Sequence, residues 1–150
     1  MKIKVIMVGK YSERFASEWF DIYRERLVHY ARITWKELPA GKGSDREKKE
    51  GEQILKLLEP GEKVFLLDER GKTFTSKEFS RFLGKYRDSS NEKICFVLGG
   101  AYGYSKEVLE KATGKISLSD FTFPHLLARV IFAEQLYRAF TILKGEDYHH

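Results

Sequence analysis

The sequence has one cysteine, three prolines and two methionines, and no long apolar run. A lone cysteine forms no internal disulfide, and Cys95 sits inside the apolar stretch Ile94 to Leu98, where a buried, inert thiol is the expectation. No hydrophobic stretch approaches the ~20 residues that span a bilayer, which excludes a membrane span. The opening segment, Met1 to Val8, alternates too regularly and is too short for a signal peptide. A cytosolic compartment is the expectation. His29, His125, His149 and His150 show no ligand spacing with a cysteine, so no metal is expected. Neither a nucleophile elbow nor a Ser-His-Asp pattern is present.

What is present is an ordinary globular mixture, 42% hydrophobic and 33% charged, with a formal net charge of +5 over 150 residues. That length fits one domain over residues 1–150. A basic balance favours association with a polyanion without identifying one. Apolar runs at 2–8, 32–38, 63–67, 93–98 and 115–118 read as strands. Helical periodicity covers 12–30, 44–58, 76–86, 105–112 and 124–143. This alternation predicts an α/β fold, a parallel sheet flanked by helices on both faces. Ser12, Ser44, Ser76 and Ser105 stand where helix caps are wanted. Pro60-Gly61 closes the second helix, and Glu69 to Lys72 reads as a turn after the third strand.

Three segments carry chemical possibilities. In Phe96-Val97-Leu98-Gly99-Gly100-Ala101-Tyr102-Gly103-Tyr104-Ser105 a buried strand enters a glycine-rich turn that opens a helix. Such a turn brings backbone N–H groups close to a ligand, but a tight strand-to-helix connection explains it equally well, and the dinucleotide spacing is absent. The loop Ser119-Asp120-Phe121-Thr122-Phe123-Pro124 groups hydroxyls, a carboxylate and aromatic rings. Capping of the last helix by Thr122 accounts for part of it, and Pro124 suits that helix's first turn. On the C-terminal helix, Glu134 and Arg138 are spaced as a surface ion pair. Arg129 and Arg138, nine residues apart, point to opposite sides, so one site uses both only if a second subunit contributes. A frayed end is the default for the tail.

Taken in order, these segments resemble the small SPOUT-class methyltransferases of ribosomal RNA, specifically the RlmH (YbeA-like) family. The resemblance rests on Leu38-Pro39-Ala40-Gly41-Lys42, Glu50-Gly51-Glu52-Gln53, Val97-Leu98-Gly99-Gly100 with Gly103, Thr122-Phe123-Pro124-His125, Glu134-Gln135-Leu136-Tyr137-Arg138-Ala139 and Tyr148-His149. It runs the length of the chain. Asp147 and His150 depart from the family's usual tail.

The resemblance implies a C-terminal trefoil knot, a homodimer and S-adenosyl-L-methionine (SAM) as methyl donor, held by Leu67, Gly100 and Ser119, Asp120, Phe121, Thr122, Phe123 and Pro124. It implies methylation at N3 of a pseudouridine in 23S rRNA of the assembled ribosome. Arg138, Tyr148 and His149 would lie toward the RNA. His149 is the candidate base for the imide proton, and Arg138 the electrostatic support. The alternatives are the same chemistry on tRNA, a non-catalytic ribosome-binding module, or a doubly wound nucleotide-binding protein.

Overall fold

The computed structural model describes residues 1–10, 13–89 and 91–150. Five strands, β1 (Lys2–Val8), β2 (Arg32–Leu38), β3 (Lys63–Thr73), β4 (Ile94–Leu98) and β5 (Gly114–Ser117), form one sheet. Its order is β2-β1-β4-β3-β5 and every pairing is parallel. The helices are α1 (Arg14–Leu27), α2 (Arg46–Leu57), α3 (Ser76–Arg87), α4 (Lys106–Lys111) and α5 (His125–Lys144).

Both sheet faces are covered, as the alternation predicts. Side chains alternate across a strand, so β4 sends Ile94, Phe96 and Leu98 to one side and Cys95 and Val97 to the other. The first side packs on Phe20, Tyr23 and Leu27 of α1, Phe79 and Leu83 of α3, and Phe132 and Leu136 of α5. The second packs on Ile54 of α2 and Val108 of α4. Every β4 residue is buried, which is why this strand reads as a continuous apolar run. Burial also pushes the Cys95 thiol up to about 12, so it stays protonated.

Several expectations are corrected. Ser105 accepts from the Val108 N–H and caps α4, but Ser76 does not cap α3. Thr75 does, in a reciprocal capping box with Glu78. Ser44 lies ahead of α2, whose N-cap position is taken by Asp45 without a side-chain bond. Ser12 lies outside the described residues, and Glu13 occupies the N-cap position of α1. Pro124 rather than Thr122 takes the N-cap position of α5, ahead of its first turn and without a side-chain cap bond.

The turn expected at 69–72 is a bulge within β3. Leu67 and Lys72 both pair with Ile116, so residues 68–71 are looped out and the strand resumes to Thr73. Gly71 permits this: a Cβ there would stand 2.6 Å from the Ile116 nitrogen. Pro60-Gly61 does turn the chain after α2, with Gly61 at φ +76°.

Candidate active site

Parallel sheets offer ligands the space beyond the carboxyl ends of their strands. Here that space is a cavity of about 400 Å³. Its walls are residues 67–69 at the bulge of β3, 98–101 at the end of β4, 116–119 at the end of β5, the loop 121–124, and His125, Ala128 and Arg129 of α5. The glycine turn and the 119–124 loop, separate in sequence, therefore face one cavity. Of the residues named from the sequence, Leu67, Gly100, Ser119, Phe121, Thr122, Phe123 and Pro124 line it, and Asp120 does not.

The local chemistry that holds this cradle is polar and buried. The Tyr104 hydroxyl accepts from the Gly99 N–H at 3.0 Å and shares its proton between the carbonyls of Val97 (2.8 Å) and Leu67 (2.7 Å). One phenol thus ties β3, β4 and the glycine turn, and burial raises its pKa. Gly99 lies so close beneath this ring that a Cβ would meet it at 2.7 Å. Under the neighbouring residue lies Glu50, a buried carboxyl of α2; a Cβ on Gly100 would stand 2.8 Å from its oxygens. Burial raises the Glu50 pKa, partly opposed by the Gly41 N–H and by nearby Arg46.

On the opposite wall, the fully buried Arg129 donates to the carbonyls of Val8 and Gly9, both at 2.6 Å, fixing the end of β1. The 119–124 loop is shaped by its serines: Ser117 Oγ donates to the Ser119 carbonyl, and Ser119 Oγ accepts from the Phe121 N–H. Asp68 and Glu69 add carboxylates to the wall. Burial would raise the Asp68 pKa, but hydrogen bonds from Arg70 outweigh it and hold the group low.

From the sequence, Tyr104 falls within the glycine-turn segment but receives no role, and Glu50 and Arg129 are given no part in this cradle. The available signals are a tyrosine directly after a glycine turn, and charged residues at i, i+4 positions of buried helix faces.

Arg138, Tyr148 and His149 come together elsewhere. Gly145, at φ +69°, ends α5, with the Glu146 N–H bonding back to the Thr141 carbonyl. The tail then folds onto the helix. Arg138 Nε donates to Glu134 at 2.9 Å, Tyr148 donates to the same carboxylate at 3.1 Å, and the guanidinium lies 4.8 Å from the Tyr148 ring centre. Arg138 Nη1 is 3.3 Å from His149 Nδ1. The tail is packed rather than frayed, and Glu134–Arg138 is its partly buried hub instead of an isolated surface pair. The Glu134 bond raises the Arg138 pKa; burial, with bonds to Tyr23 and Glu134, raises that of Tyr148. The nine residues from Arg129 to Arg138 span about 13 Å of helix and half a turn in direction. In one chain the tail cluster and the cavity do not meet.

Residues 1–149 match the family model described as "Predicted SPOUT methyltransferase". Curated relatives align over the whole chain. The ribosomal RNA large subunit methyltransferase H of Parabacteroides distasonis is 44% identical, with 100% of this chain and 99% of the relative covered. The protein of that name from Geotalea daltonii is 44% identical with both chains fully covered, and that from Christiangramia forsetii is 42% identical, covering 100% and 99%. The chain belongs to the SPOUT methyltransferase family.

Proposed function

We propose that this protein is a SAM-dependent methyltransferase acting, as one domain over 1–150, on N3 of a pseudouridine in the 23S rRNA of the assembled ribosome. The observation that carries it is the joining of the glycine turn and the 119–124 loop around one cavity in a chain of this family. The cavity's size is that of small-molecule sites, and it offers what an adenosine-bearing cation needs: backbone groups at Gly99 and Gly100, apolar walls from Leu67, Leu98 and Ile116, and carboxylates nearby. SAM supplies a methyl group already bonded to a positively charged sulfur. The protein's task is then to align the acceptor and manage its proton.

That second task falls to Arg138, Tyr148 and His149. Arginine only donates hydrogen bonds, so His149 Nδ1 accepts from Arg138 and the ring's proton sits on Nε2. In this arrangement Nε2–H is a donor, suited to a uracil carbonyl or a phosphate. For His149 to take the imide proton at Nδ1, Arg138 must turn away when substrate arrives. His149→Ala is expected to leave SAM affinity unchanged and to lower turnover. A single-turnover rate with the same pH dependence in wild type and variant removes the base role and leaves the donor role.

Because the tail and cavity are apart in one chain, a second copy completes the site in this reading. Phe15, Trp19 and Ile22 form an exposed stripe on α1, 77%, 52% and 40% accessible. The same helix carries Tyr23, whose ring packs on Tyr137, which in turn packs on the tail's Tyr148. A homodimer covering this stripe would bring one tail toward its partner's cradle. The C-terminal trefoil knot and a cytoplasmic location belong to the same proposal. Incubating SAM with ribosomes that lack this modification, with free rRNA and with tRNA tests the substrate: a methyl mass shift at a 23S pseudouridine on ribosomes is expected. Transfer to tRNA alone would overturn it.

A further inference from the structure

The glycine turn has an outer side. Ala101 lines the cavity, and the next residue, Tyr102, is 57% exposed just beyond it. The Arg46 guanidinium sits 3.6 Å from the Tyr102 ring centre. One face of the ring is thus covered by a cation and the ring remains open to solvent. The Arg46 backbone is closely packed. Arg46 opens α2, and Gly41 fits so tightly against it that a Cβ would lie 2.6 Å from the Arg46 carbonyl oxygen. One turn further along α2, Glu50 lies directly beneath Gly100. The first turns of α2 and the glycine turn therefore form one preorganised lip. Around it, with Lys49 and Asp45 paired to each other at 3.2 Å, the exposed Lys42 and Lys48 outnumber the exposed carboxylate of Glu47.

We propose that the Arg46–Tyr102 stack is a platform for an unpaired RNA base neighbouring the one to be methylated. Unpaired bases are recognised by stacking on aromatic rings and guanidinium planes, and flanking cations hold the backbone. A folded RNA must expose its target base for N3 to be reached, which leaves a neighbouring base to be held. This inference rests on the proposed rRNA methylation and assigns part of the acceptor's binding to the lip of the cradle.

The test uses the full-length protein, with methyl transfer measured against ribosome concentration at saturating SAM, and SAM affinity measured by calorimetry. Tyr102→Ala is expected to raise the KM for ribosomes on the order of tenfold, the scale of one lost base stack. Its kcat should stay within about twofold and SAM affinity should not change. Tyr102→Phe, which keeps the ring, should behave as wild type. An unchanged KM in Tyr102→Ala overturns the platform, as does an equal defect in Tyr102→Phe or a parallel loss of SAM affinity. Wild-type protein that binds SAM but transfers nothing to ribosomes sinks the substrate reading, and this inference with it. An active wild type with an indifferent Tyr102→Ala sinks the inference alone.

Discussion

Removing the Tyr104 oxygen leaves the Gly99 N–H and two strand-end carbonyls without their buried partner. Unsatisfied buried groups cost about 1–3 kcal/mol, so Tyr104→Phe is expected to lower the urea midpoint by that equivalent and to weaken SAM binding. An unchanged midpoint would show that the hydroxyl does not brace the turn. Glu50 makes a different kind of contribution. Its raised pKa means the folded chain holds that proton more tightly than the unfolded chain. The resulting stabilisation is complete below the ordinary carboxylate value and is lost as pH rises through the raised one. Glu50→Gln is therefore expected to melt above wild type at pH 8, with the two converging near pH 4. A variant less stable than wild type at both pH values would contradict the assignment.

At the scale of elements, the bulge in β3 shapes the cavity wall at 67–69. Gly71→Ala forces a Cβ into the β5 backbone, and overpacking of this kind costs about 1–3 kcal/mol, to be read from chemical denaturation. A neutral substitution would mean that β5 shifts freely. This bulge was hidden in the sequence because Glu69-Arg70-Gly71-Lys72 is polar and contains glycine, the composition of a turn. What keeps it in the sheet is pairing with β5, a contact across some 45 residues that no local pattern reports. The strand β4 was legible because burial on both faces leaves a plain apolar signature, and β1 because Lys2 and Lys4 alternate with Ile3 before the buried run Val5 to Val8. Helix starts were legible to within a residue or two, since Thr75 and Ser76 are both capable caps and only geometry decides. The cradle was half legible: the glycine turn, with Tyr104 in its segment, and the 119–124 loop carry recognisable residues, whereas the Tyr104 bond to Leu67 and the roles of Glu50 and Arg129 are contacts distant in sequence.

For the whole molecule, the proposed function joins a tail and a cavity that lie apart in one chain, and so calls for a second copy. Trp19→Glu places a charge in the exposed α1 stripe. It is expected to yield a monomer by sedimentation that still binds SAM but has lost methyl transfer. A monomer as active as wild type would show that one chain suffices. Everything in this account depends on the cavity beyond β3, β4 and β5 holding the methyl donor. Calorimetric titration of SAM into wild type and into Ala128→Trp, which fills the cavity from α5 while leaving its hydrogen bonds in place, tests that most directly. The account predicts one SAM per wild-type chain and none for a variant that melts normally. Equal binding by both proteins, or no binding by wild type, would contradict it.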